Sequence, residues 1–247
     1  MNADPNSERF EGHDPATGDT AGVPWQGRTL TETGFDGDDG RADAALHDAL
    51  HAGADDAQLM AAVAQARLIV PIVAVPGESA SSDMAAVTLS SPDGRKALPA
   101  FSSTDVLSSW DSAARPVPVS AQRAALAAVQ EGCDVVVLDV GTEHAAELRT
   151  SMVWALAMAR EWVPSHRDPH VHTAVQTAVR AEEHIGAFSL DHGEGGALVI
   201  QVGLTPGLPA PRINEILQRV GAAIATDGEA RARIDAVSFR LHDDSGS

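Results

Sequence analysis

The stretch SAQRAALAAVQEGCDVVVLDVGT, residues 120–142, decides the fold class. Ser120 is a residue type that caps helix N-termini, the alanine-rich run 121–131 forms helix readily, and Gly132 is the kind of residue that ends one. Val135 to Leu138 then stand between Asp134 and Asp139 with no polar residue among them, the pattern of a strand covered on both faces. A helix feeding such a strand is the unit of an α/β core. The fold expected is therefore α/β (α+β), a mixed β-sheet flanked by helices.

Toward the N-terminus, Ala45, Leu46, Ala49 and Leu50 recur at helical spacing between Asp43 and Gly53, and a second helix starts near Asp55 with Leu59, Met60 and Val63 as its buried stripe. Leu68 to Pro76 reads as a buried strand in which Pro71 removes a ladder donor, the mark of an edge or a bulge. Pro92-Asp93-Gly94 between two apolar runs predicts a hairpin. Thr104 to Trp110 reads as a short helix, followed by a segment stiffened by Pro116 and Pro118. Toward the C-terminus, helices are expected over Met152 to Ala159 and from the Asp168-Pro169 start to about Ala181. Strands at 185–190 and 197–204, a helix from about Pro209 to Thr226 and a strand at 234–241 then make a β-β-α-β unit. The organisation expected is an acidic, largely disordered tail over 1–42, an α/β domain over 43–165, and a smaller unit over 166–247 packed on it.

Of the 247 residues, 35 are acidic and 17 basic, a formal net charge of −18. That field repels phosphate backbones and anionic lipid heads, so nucleic acid and membrane surfaces are excluded as partners, and a basic protein becomes one reading of what the chain meets. No apolar run approaches the roughly 18 residues of a membrane span. The opening MNADPNSERFEGHD has neither a basic nor an apolar signal region, and Cys133 is the only cysteine. A cytoplasmic setting is expected. Within the tail, Trp25, Arg28, Leu30 and Phe35 are the residues suited to docking on the body or on a partner.

Chemistry-bearing patterns are sparse. His166, His170 and His172 lie in HRDPHVH, but on the helix expected from Asp168 they diverge, so a three-ligand zinc site is not expected. Counted from Asp36, the acidic run DGDDG places Arg41 and His47 where a calcium loop needs Gly and Glu. Gly193-Glu194-Gly195-Gly196 falls between two strands and reads as a turn rather than a phosphate loop. No G-x-S-x-G elbow occurs, and Cys133, between a helix-ending glycine and a buried strand, reads as a structural, buried thiol. No catalytic constellation, cofactor or metal is expected. Asp139 stands out, because the carboxyl end of a buried strand is where open α/β sheets bind ligands. It reads as a turn former or as a ligand contact, with Phe101, Trp110, Arg115 and Pro116 as the groove beside it.

In order, GVPWQGRTL (22–30), GDDGRADAALHDAL (37–50), ARLIVPIVAV (66–75), SSDMAAVTLSSPDGRKALPAFSS (81–103), WDSAARPVPVSAQRAALAA (110–128), VVVLD (135–139) and WALAMAREWVP (154–164) resemble the SseB N-terminal-domain family as it occurs in high-GC Gram-positive bacteria. The resemblance implies a cytoplasmic α/β protein without an established enzymatic activity. The function expected is non-catalytic binding or regulation with a protein as partner. The alternative is a small-molecule ligand or substrate held near Asp139. The sequence names neither the ligand nor the oligomeric state.

Overall fold

The computed structural model of the chain describes residue 35 and residues 37–76, 82–91 and 94–241, with the side chains of 74–76 and 82–85 left aside. It divides into two units, Met1–Asp38 and Asp39–Ser247. In the first, the Asp38 amide donates to the Phe35 carbonyl at 3.0 Å and closes a turn. Trp25, Arg28 and Leu30 lie outside the described residues.

The second unit opens with two capped helices. Asp43 accepts from the amides of Ala45 and Leu46 to start α1 (Ala44–Ala52), and Gly53 ends it in the left-handed region at φ 62°. Asp55 and Gln58 exchange hydrogen bonds in a capping box at the start of α2 (Asp56–Gln65). Each such cap satisfies amides that would otherwise be orphaned, worth about 1 kcal/mol.

The strand β1 (Arg67–Pro76) lies between β2 (Ser82–Ala86) and β5 (Arg115–Ser120), antiparallel to both. The edge or bulge expected at Pro71 is therefore corrected: β1 is the central strand, and its ladders carry no register shift. Ile69 exchanges both backbone hydrogen bonds with Phe101, at 2.8 Å each. Alternate residues point their polar groups the same way, so Pro71 also faces away from β5. Its missing N–H falls just before the ladder with β2 begins at Ile72, and its carbonyl accepts from Val87. The segment RPVPVS, expected only to be stiff, is the strand β5. Pro116 and Pro118 stand opposite Pro71 and Ile69, so their ring nitrogens face the outer side of the sheet.

β3 (Leu89–Ser90) pairs antiparallel with β4 (Lys96–Ala100), while Pro92 and Asp93 of the expected turn lie outside the described residues. After β4 come α3 (Thr104–Trp110), capped by Ser103, then β5, then α4 (Ala121–Gln130), capped by Ser120. The chain returns as β6 (Val135–Leu138), parallel to β4, with β7 (Ala146–Leu148) antiparallel on its other side. This sheet runs β3-β4-β6-β7, and α4 leads into its strand β6, the helix-then-strand order read from residues 120–142. Leu98, Leu138, Leu148 and Met152 are fully buried in the core between it and the helices, with Met152 on α5 (Thr150–Ala157). Burying each such side chain stabilises by about 1.5–3 kcal/mol.

A short 3-10 turn (Ser165–Arg167) leads to α6 (Pro169–Arg180), capped by Asp168. There follow β8 (Ile185–His192), β9 (Leu198–Leu204), α7 (Ala210–Thr226), α8 (Gly228–Arg233) and β10 (Val237–Leu241), with sheet order β10-β9-β8. The last strand was expected from Ile234. Asp227 instead caps α8, which fills part of that connection, and pairing begins at Val237. This β-β-α-β arrangement has its own core, built from Val171, Val175, Leu198, Ile200, Val202 and Val220 among others. The helix α5 packs on α8, bringing the two cores side by side.

Candidate functional site

Asp139 ends β6 with φ 47°, a conformation that asparagine and aspartate tolerate better than other side chains. It is buried, and its carboxylate is fully engaged: Oδ1 accepts from the Ser102 amide and Oδ2 from the Ser102 hydroxyl, both at 2.7 Å. Its own amide donates to Ala100, and its carbonyl accepts from the Thr142 amide and hydroxyl. The residue therefore ties the ends of the parallel strands β4 and β6 together. Phe101 is fully buried, its ring 5.2 Å from that of Trp110 in a small core with Ile69 and Leu107. Arg115 and Pro116 begin the edge strand and are exposed. Of the five residues named beforehand, Asp139, Phe101 and Trp110 thus gather around the ends of β4 and β6, with both aromatic rings packed together.

A cleft of about 280 Å³ opens elsewhere, at the start of α5. Arg149 holds the N-cap position of α5 but makes no cap hydrogen bond there. Asp235, just before β10, reaches across and supplies the cap: Oδ1 accepts from the Ser151 amide at 2.7 Å, and Oδ2 accepts from the Ser151 hydroxyl at 2.9 Å. The Arg149 Nε also donates to Asp235 Oδ2 at 3.0 Å, and its terminal nitrogen donates to Asp56 at 2.7 Å. Burial alone would lower the pKa of this guanidinium, but the hydrogen bonds to Asp56 and Asp235 outweigh it and raise it above its ordinary value. The Trp162 ring lies 5.8 Å from the guanidinium carbon, and its indole N–H donates to the Ser151 hydroxyl. Gly196 supplies the remaining room: a Cβ there would stand 2.5 Å from the Arg149 guanidinium.

On the opposite wall the 3-10 turn presents His166 and Arg167, with the His192 ring 5.5 Å from that of His166. Burial, then the charge of Arg167 and the neighbouring His192, hold His166 below the usual imidazole value, against a smaller opposing pull from Asp191. Arg233 reaches the same cleft after pairing with Asp168 at 2.9 Å and Glu229 at 3.0 Å. Its Nε is buried and finds no acceptor among the described residues. A wider groove of about 600 Å³ lies on the far side of Trp162, where Trp154 and Met158 are exposed beside the Arg160–Glu229 ion pair. Arg233 lines both recesses.

The three histidines of HRDPHVH part company: His166 faces the cleft, His170 meets Asp227 at 3.3 Å, and His172 lies against Phe188. Among the described residues no three metal-ligating side chains gather for an ion. Cys133 is only half-buried, a correction to the buried thiol expected. Its pKa is nevertheless raised by partial burial and by Glu131 and Asp134, against a smaller lowering by Lys96. No local pattern announced the cleft, because Arg149 meets partners 93 and 86 residues away. The one usable signal was a glycine, Gly196, in a turn that needs fewer of them.

Residues 43–155 match the family model described as SseB protein N-terminal domain. Neither the curated proteins nor the solved structures yield a match.

Proposed function

We propose, from the SseB N-terminal domain match over residues 43–155 and the cleft at its C-terminal margin, that this is a cytoplasmic, non-catalytic binding protein whose receptor is that cleft. The observation that carries the reading is the double wall. Asp55, Asp56, Arg149 and Ser151 belong to the matched segment, and Trp162, His166, Arg167, His192 and Asp235 lie beyond it. A ligand between them touches both parts of the fold and can set their spacing, which is the physical basis of a regulatory response. Polar groups converging in a concave site next to an aromatic ring are what small-molecule recognition uses. Asp139 supports the same reading from the other direction, since both its carboxylate oxygens are spent on Ser102.

The test is ultrafiltration of the full chain with a small-molecule extract, and mass spectrometry of what is retained. Ala57 lines the cleft on an exposed turn of α2, so Ala57→Trp fills the space without entering a core. A compound held by the parent, released chemically unchanged and lost from Ala57→Trp is the expected result. Equal retention by both proteins, or conversion of the compound, overturns the reading.

A further inference from the structure

We infer that the cleft takes a small oxyanion, a carboxylate or phosphate group on a compact molecule, received by Arg167 and His166. The inference rests on the cleft being the receptor and goes further by naming what enters it. Of the acceptors around the cleft, Asp235 is engaged at both oxygens by Arg149 and Ser151, while Asp55 Oδ1 accepts from the Gln58 amide and Asp56 Oδ2 from Arg149. Several donors have no acceptor among the described residues. Arg167 is exposed and has no side-chain partner among the described residues, and Arg233 Nε is buried without one. Arg149 uses two of its five N–H donors in the hydrogen bonds described, to Asp235 and Asp56. His166 and His192 each carry ring nitrogens able to donate. Arg167 is thus an exposed guanidinium at the cleft mouth without a side-chain partner among the described residues, and a charged acceptor makes shorter and stronger hydrogen bonds to it than a neutral one.

The protein as a whole is strongly acidic, which makes the location selective. With a formal charge of −18, general attraction cannot draw an anion to the surface, so binding needs a site where positive groups converge. The arginine geometry suits oxygens arranged in a plane or a tetrahedron alike, so carboxylate and phosphate share the recognition chemistry. A volume of about 280 Å³ is at the lower end for a small-molecule site, which limits the ligand to a compact one.

The experiment titrates inorganic phosphate, succinate, putrescine and glycerol separately into the full chain at constant ionic strength made up with chloride. It follows the Trp162 indole N–H resonance, assigned by its absence in Trp162→Phe. Phosphate or succinate is expected to move that resonance saturably, and which of the two binds more tightly separates the two sources of oxyanion. Arg167→Gln is expected to fold as the parent does and to weaken the titration about tenfold. Arg180→Gln, which removes the same charge from an exposed helix position outside the cleft, is expected to leave it unchanged. Equal weakening by both variants, or a resonance indifferent to both anions, overturns the inference. Movement by putrescine or glycerol alone overturns the inference while leaving the cleft as receptor. Failure of the Ala57→Trp comparison strikes the receptor reading itself.

Discussion

Two aspartates in this molecule are held by the same device and differ in what surrounds it. Asp139 and Asp235 each take a serine amide on one carboxylate oxygen and that serine's hydroxyl on the other, Ser102 in the first case and Ser151 in the second. At Asp139 the device is closed: it lies at the end of one sheet, near Phe101, and the Arg67 guanidinium beside it donates to the Ser102 carbonyl at 2.9 Å rather than to the carboxylate. At Asp235 the same pair of hydrogen bonds crosses from the end of the chain to the start of α5 and recruits Arg149, which brings Asp56 with it. A serine clamp can thus finish a strand end or build the wall of a recessed site. What separates the two outcomes is an arginine bonded to the carboxylate itself, with a second carboxylate brought in behind it. Burying a charge is costly unless its partners are complete, so each clamp is a place where one substitution is expensive.

The sharpest way to break this comparison is to remove each carboxylate in turn. Asp235→Ala is expected to cost about 3 kcal/mol in urea unfolding, because it strands the Ser151 amide and leaves Arg149 half-paired. Asp139→Ala is expected to cost about 2 kcal/mol, since it removes two charge-assisted hydrogen bonds and places alanine at positive φ, while no counter-ion is left behind. If Asp139→Ala proves the more damaging, the cation is not what distinguishes the clamps. Asp139→Asn sharpens the point: asparagine tolerates that backbone and keeps one acceptor, so a loss of about 1 kcal/mol is expected.

Cys133, at the far end of the strand that Asp139 closes, probes how tightly the first region is shut. With its pKa raised, it should react with a thiol reagent at pH 7 more slowly than the unfolded chain does; equal rates would mean that the start of β6 is open. The smallest effect belongs to the second region. His166 is held below the ordinary imidazole value, so as pH falls below about 6.5 the unfolded chain takes up its proton first. The unfolded state then binds more protons, and stability falls with pH. His166→Gln should flatten that part of the stability profile, with Arg167, His192 and Asp191 left in place. A profile as steep as the parent's would assign the dependence to other groups.

What the sequence disclosed and what it hid follow from distance along the chain. The caps Asp43, Asp55, Ser120 and Asp168 act on amides two or three residues away, so their helices were legible from residue types alone. The strand Val135–Leu138 was legible because both its faces are covered and its composition says so. RPVPVS was not, since prolines mask strand character unless one knows that they face outward. The ten-residue link from α7 to β10 hid α8 because Asp227 both follows one helix and caps the next. Asp139 stands out in the sequence at the end of a buried strand, but its partner Ser102 lies 37 residues back. The cleft joins residues from Asp55 to Asp235, and nothing short-range marks them as neighbours.

The outward prolines of β5 also govern how the molecule behaves in a crowd of its own kind. A strand at the margin of a sheet ordinarily offers a row of amides on which another chain can lay itself, the first step toward fibrils. At Pro116 and Pro118 that row has two successive gaps, so an incoming strand finds carbonyls without the donors that would lock it in register. The sheet therefore stops growing where the chain itself stops it. Solubility on this side of the protein is written into the backbone, independent of the salt that screens its acidic surface.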